Sequence, residues 1–156
     1  MKMVRFLLLA VSLVSALTLA ACGSTPAAPA GGEGGALTVT PDGENLAYKP
    51  AELKVKAGSS VSLAFNNSST AQQHNIVIVT GGDDVAAKVD EEAIAAGAPD
   101  YIPADKASIV AATKMLAPGG SETVSFTAPA AGTYVFLCTY PGHYAAGMKG
   151  TLVVEP

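Results

Sequence analysis

Cys138-Thr139-Tyr140-Pro141-Gly142-His143-Tyr144-Ala145-Ala146-Gly147-Met148 brings a thiol, an imidazole and a thioether into eleven residues near the C-terminus. Pro141-Gly142 supplies a tight turn ahead of His143, and Gly147 allows another ahead of Met148. One loop can therefore aim three side chains at a single point. The chain enters this loop through the strongly β-forming run Tyr134 to Cys138 and leaves it towards Thr151-Leu152-Val153-Val154, so the loop sits between two strands. One further imidazole makes the set His₂Cys with a weak axial Met, which marks an electron-transfer copper site. His74 is the only other histidine in the chain. Taken singly, a Cys at a strand end is usually a small core hydrophobe, a Met near a C-terminus is usually core and a loop His is usually solvated. The joint spacing carries the assignment. Met115, the competing thioether, lies in an ordinary apolar stretch and is read as packing.

Working outward from the loop, most of the chain reads as short strands. Leu37-Thr38-Val39 opens the domain, Leu53-Lys54-Val55-Lys56 alternates, and Val61, Leu63 and Phe65 alternate with small or polar residues before Asn66-Asn67-Ser68-Ser69. Ile76 to Val79 is a continuous β-branched run, the pattern of a buried strand, and Val124-Ser125-Phe126-Thr127 alternates again. Short strands separated by turn signals predict an all-β sandwich. One helix is expected between strands, from Asp83 to about Ala96. Asp83 or Asp84 would cap it, Val85, Val89 and Ile94 would share one face, and Gly97-Ala98-Pro99 would stop it. The Asp90-Glu91-Glu92 run is read as a solvated face.

The chain has 156 residues, enough for one domain with a real core, and no Trp. Its N-terminus reads as a targeting signal over 1–21: Lys2 and Arg5 form a positive start, and Phe6 to Ala21 is apolar but short for a membrane span. Leu19-Ala20-Ala21-Cys22 resembles a bacterial lipoprotein signal, in which Cys22 is lipidated and becomes the new N-terminus. A plain secretory signal or an uncleaved anchor are the alternatives. A lipidated Cys22 would hold the protein at a membrane through its acyl chains. Residues 22–36 are a Gly/Ala/Pro tether with almost nothing to bury, and 37–156 form the folded domain. The formal charge of −4 becomes −6 once Lys2 and Arg5 are removed (−4 − 2). That acidity argues against nucleic acid and suits a basic protein partner. The chain holds two Cys, and a disulfide between Cys22 and Cys138 would consume the thiolate that the loop is built to present.

The motifs now point to a family. Cys138 to His143, followed by Met148-Lys149-Gly150-Thr151-Leu152, resembles the ligand loop of small blue copper proteins, the cupredoxins. Gly132-Thr133-Tyr134 resembles the strand that leads into that loop in plastocyanins and azurins, and His74-Asn75 followed by Ile76 to Val79 resembles the His-Asn strand of azurins. Four residues separate Cys138 from His143, as in azurins, and four separate His143 from Met148, as in plastocyanins. This hybrid is similar to the auracyanins of filamentous green phototrophic bacteria. The resemblance implies a cupredoxin-like Greek-key β-sandwich holding one copper ion. His74, Cys138 and His143 would be equatorial ligands and Met148 the axial one. Asn75 would tie the two ligand segments together and hydrogen-bond around the thiolate. Where azurins have a Gly whose carbonyl approaches copper from the other side, this chain has Gln73. In the family His143 exposes one edge through an apolar patch, for which Pro141, Gly142, Tyr144 and Ala145 are the candidates.

The implied function is that of a membrane-tethered one-electron carrier on the outer face of a bacterial cytoplasmic membrane. It would take electrons from a quinol-oxidising complex and pass them to a c-type cytochrome or a photosynthetic reaction centre, as a monomer. The alternative is a periplasmic copper chaperone or store. Such proteins favour Met- or His-rich exposed sites, and this chain has only four Met, two of them in the signal. An enzyme is not expected: Cys138 and His143 lack an orienting acid, and two histidines leave none for a second metal site. A c-type haem would need C-x-x-C-H, which does not occur.

Overall fold

The structure is a computed structural model, and it describes residues 35–156. The expected signal peptide, Cys22 and nearly all of the expected tether lie outside the described residues. Among the described residues there are nine strands and one helix. In chain order these are β1 (Ala36–Pro41), β2 (Tyr48–Lys49), β3 (Glu52–Lys56), β4 (Ser60–Asn66), β5 (Val77–Val79), α1 (Asp83–Ala96), β6 (Ile109–Ala112), β7 (Ser121–Thr127), β8 (Gly132–Leu137) and β9 (Lys149–Glu155).

The strands form two sheets. One has the order β2-β1-β4-β7, the other β3-β9-β8-β5-β6. Alternation decides which side chains face inward. Val61, Leu63 and Phe65 on β4 are buried while Ser60 and Ser62 are exposed. Leu53 and Val55 on β3 alternate with exposed Glu52, Lys54 and Lys56. These inner faces meet in one core with Val39, Ile76, Ile78, Phe136, Leu152 and Val154, and that core also contains Cys138 and Met148. Each fully buried side chain of this size contributes about 1.5–3 kcal/mol.

The β-branched run is apolar on both faces for a reason visible in the packing. Ile76 and Ile78 point between the sheets. Val77 and Val79 point the other way, into a second cluster with Val135, Leu137 and the helix residues Ala86 and Val89. Helix α1 thus covers the outer face of the second sheet and makes β5 a strand buried on both sides. The expected all-β sandwich with one inserted helix is the observed fold.

Three details of the helix differ from expectation. Its N-cap is Gly82, with no side-chain cap, and Asp83 and Asp84 instead occupy the first turn, where they favour the positive end of the dipole. Ile94 is 44% exposed, so the buried face is Ala86, Val89, Asp90 and Ala93, with Val85 partly buried beside it. Asp90 is 9% exposed and therefore not part of the solvated acidic face. The reason is registry: residues 86, 89, 90 and 93 follow the 3.6-residue period, and a stripe centred on Ala86 and Val89 carries Asp90 inward and Ile94 outward.

Candidate metal centre

His74 stands just before β5 and is fixed by its main chain. Its N–H donates to the Leu116 carbonyl (3.1 Å), and Leu116 N–H donates back to the His74 carbonyl (2.9 Å). Asn67 Nδ2 donates to the carbonyls of both Leu116 and Gln72 at 2.9 Å, pinning the loop that leads to His74. Glu44 holds the same loop from outside, accepting from Thr70 N–H (2.7 Å), Ser69 Oγ (2.8 Å) and Thr70 Oγ1 (3.0 Å).

Cys138 follows the last residue of β8, and the chain turns back through a closed loop. Cys138 N–H donates to the Met148 carbonyl (3.1 Å), Met148 N–H to His143 (2.9 Å) and His143 N–H to Tyr140 (3.0 Å). Gly142 and Gly147 take φ of 85° and 105°, a region other residues rarely adopt, so the two turns expected there are made. The result brings three ligand residues together. Cys138 Sγ lies 3.8 Å from His74 Nδ1 and 3.4 Å from His143 Nδ1. The three potential ligand atoms all lie within 4.8 Å of one another, and all three residues are buried. Met148 is fully buried in the same core as Cys138, whereas Met115 is only half-buried and outside it.

Electrostatics suits a soft metal ion. Burial pushes the His74 imidazole down to about 4, helped by nearby His143, and lowers His143 as well, so both rings offer neutral lone pairs. Burial pushes the Cys138 thiol up to about 11, against the backbone N–H groups of Asn75 and Tyr140, which favour the thiolate. Two neutral imidazoles and one sulfur, with no carboxylate among them, fit copper.

Asn75 joins the two ligand segments. Its Oδ1 accepts from Thr139 N–H (2.9 Å), and its Nδ2 donates to Thr139 Oγ1 (2.8 Å) and the Asp100 carbonyl (3.2 Å). Thr139 Oγ1 in turn donates to the Tyr101 carbonyl (2.7 Å). The segment after α1 is therefore a third buttress of the site. Sequence reasoning missed Asp100 and Tyr101 in this role, because main-chain acceptors leave no residue signature, and it missed Thr139, which acts through its N–H and its hydroxyl.

His143 is 7% exposed, against none for His74, so it is the ligand nearest solvent. A cavity of about 350 Å³ lies beside it, lined by Ala71, Gln72, Gln73, Tyr140 and His143. Tyr140 stacks near His143, with centroids 4.7 Å apart. Pro141, Gly142 and Ala145 are exposed on the loop. Tyr144 is turned to the helix side: it packs against the second cluster, and its hydroxyl donates to the Asp83 carbonyl (3.3 Å). Lys149 pairs with Asp83 at 2.6 Å, tying the loop to the start of α1.

A buried His₂Cys set, with Met148 in the same core cluster as Cys138, at the end of a β-sandwich, defines a cupredoxin-type metal centre. Residues 35–155 match the model of the copper-binding proteins of the plastocyanin/azurin family, and the chain belongs to that family. It is 44% identical to auracyanin-A of Chloroflexus aurantiacus over 160 residues, covering 97% of both chains. Among solved structures it is similar to a dithionite-reduced auracyanin of the photosynthetic bacterium Roseiflexus castenholzii (66% identity, TM-score 0.77, 78% of this chain and 97% of that one). It is also similar to auracyanin B (42% identity, TM-score 0.75, 79% and 91%). The chain is thus a blue copper protein of the auracyanin type, with copper as its cofactor.

Proposed function

We propose that the protein is a one-electron carrier, tethered through Cys22 to the outer face of a bacterial cytoplasmic membrane. Its donor would be a quinol-oxidising complex and its acceptor a c-type cytochrome or a photosynthetic reaction centre. The observation that carries the reading is the burial of Cys138, His74 and His143 around one point, with only His143 reaching the surface. Bound copper supplies the Cu(II)/Cu(I) couple. The protein's part is to keep the ligands still, so that little rearrangement accompanies the change of charge. The His74–Leu116 bridge, the closed Cys138–Met148 loop and the Asn75–Thr139 pair do this from three directions. Water is excluded from the sulfur by the core around it. Electrons would pass through the His143 edge, with Pro141, Gly142 and Ala145 as the docking surface, and the Gln73 carbonyl would be a further candidate ligand for the copper.

Two measurements test the reading. Cu(II) added to the purified protein gives an intense visible band from the thiolate-to-copper transition, and Cys138→Ser removes the band while the fold remains. The reduced protein then passes its electron to an oxidised c-type cytochrome in stopped flow, more slowly as salt screens the acidic surface. A colourless Cu(II) complex removes the carrier reading. Rapid surrender of copper to a chelator supports a chaperone or store instead.

A further inference from the structure

Among the described residues Tyr101 is the one non-glycine residue with a positive φ, at 50°. A bulky side chain in the left-handed region costs free energy that Gly or Asn would largely avoid. Such strain persists only where the surroundings hold it. Here they hold it from both sides of the α-carbon: the Tyr101 N–H donates to the Gly97 carbonyl (3.1 Å), and the Tyr101 carbonyl accepts from Thr139 Oγ1 (2.7 Å). Both bonds use main-chain groups of Tyr101, so they account for the backbone and not for the ring.

The ring meets Tyr140 edge-on, with centroids 5.6 Å apart and planes at 63°. Tyr140 in turn lies 4.7 Å from the His143 imidazole, and His143 lies 4.9 Å from His74. Four rings thus run in series from half-buried Tyr101 to fully buried His74. Aromatic contacts at these separations are favourable beyond the area they bury. The His74 main chain is fixed by the Leu116 bridge. His143 and Tyr140 belong to one loop, so neither restrains the other when that loop moves. The cavity of about 350 Å³ beside them leaves both rings open space. Tyr101 meets them from outside the loop, on the segment that follows α1. We infer that Tyr101 is a positioning residue for His143: its ring backs Tyr140, and Tyr140 keeps the imidazole turned so that its Nδ1 faces the Cys138 sulfur, 3.4 Å away. The strained backbone is retained because it puts an aromatic ring where Gly or Asn would leave none. Residues that support a metal ligand without touching the metal set its orientation in this way.

The inference rests on copper filling this site, which the wild-type visible band tests first. Three forms of the full chain then decide it: wild type, Tyr101→Asn and Tyr101→Phe. Tyr101→Asn removes the ring but suits the left-handed backbone, so the bond to Thr139 stays. It binds Cu(I) about tenfold more weakly than wild type in competition with a chelator, the size of effect expected when a ligand loses its support. Tyr101→Phe keeps the ring edge and the wild-type affinity. Ring-carbon NMR relaxation, read without added metal, shows the His143 ring more mobile in Tyr101→Asn and the His74 ring unchanged. The chain has only these two histidines, so their signals are readily told apart. A general loosening of the fold would move both rings. An affinity within about twofold of wild type in Tyr101→Asn overturns the inference, as does a Tyr101→Phe protein as weak as Tyr101→Asn. If the wild type takes up no copper, that reading fails and the NMR comparison alone decides this one, equal His143 mobility in wild type and Tyr101→Asn overturning it. Tyr101→Gly takes the place of Tyr101→Asn should the latter not fold.

Discussion

Asn75 and Thr139 grip each other twice: the Asn75 Oδ1 accepts the Thr139 N–H at 2.9 Å, and the Asn75 Nδ2 donates to the Thr139 hydroxyl at 2.8 Å. Each residue is the immediate neighbour of a ligand, His74 on one side and Cys138 on the other. The pair therefore fixes the separation of two ligands that lie 64 residues apart in sequence. Because it is buried, neither partner can turn to solvent if the other is removed.

Asn75→Ala leaves the Thr139 N–H unsatisfied in the core and lowers stability by about 2 kcal/mol. Thr139→Ala removes only the hydroxyl and costs less. The double variant loses less than the sum of the two, with a coupling of about 1 kcal/mol. Urea unfolding of the copper-loaded forms measures all three corners, and simple additivity would show that the pair does not act as a unit.

Met148→Leu keeps a buried apolar side chain of similar volume, so the fold loses less than about 1.5 kcal/mol. The thioether is a weak donor that stabilises the more highly charged oxidised ion more than the reduced one. Its loss raises the potential by on the order of 60 mV, a tenfold change in the redox ratio. Potentiometric titration reads the change, and an unchanged potential means that Met148 is a core residue without an axial role.

The ligand loop was legible because three of the site's four ligand side chains lie within eleven residues and two glycines mark its turns. The strands with one wet face, such as β3 and β4, were legible from alternation. What escaped had no such periodicity. β6 over Ile109–Ala112 is half-buried at every position and shows no contrast between faces. β2 is two residues long, so Tyr48 gave no strand signal, although its ring reaches the centre of the core. The Asp100 and Tyr101 carbonyls that hold Asn75 and Thr139 belong to the main chain, which any residue could supply. Helix α1 was found by its stop signal at Gly97 and its apolar spacing, but its cap was misplaced because Gly82 offers no side chain to read.

Asp90 is the one carboxylate that α1 buries, and desolvation raises its pKa above the usual 3.8. The unfolded chain then binds fewer protons than the folded one between the two values, so this group makes stability fall as pH rises through that window. Below the ordinary carboxylate value the penalty is absent. Asp90→Ala is expected to stabilise the protein by about 1 kcal/mol at neutral pH, part of it from better helix propensity. Thermal melts at several pH values should show the gain shrinking to the propensity part as pH falls towards 3.8. A gain that does not vary with pH would mean that the Asp90 charge is not the cause.

Gly150 is the second residue of the return strand from the ligand loop and has the Phe136 ring lying over it. A Cβ there would collide with the ring atoms of Phe136 and come within 2.6 Å of the Ala51 carbonyl oxygen. The ring cannot retreat freely, since Tyr48 packs on it at 5.2 Å, and Ala51 O is held by the Thr151 N–H at 2.8 Å. Nothing in the sequence distinguishes this glycine, because the constraint comes from a residue fourteen positions earlier on the neighbouring strand, where Phe136 pairs with Gly150. Gly150→Ala is therefore expected to cost about 1–3 kcal/mol through overpacking rather than backbone strain. The denaturant midpoint should fall with an unchanged slope, as for a loss of stability without a change in the surface exposed on unfolding. An unchanged midpoint would show that the two strands can separate locally without loss.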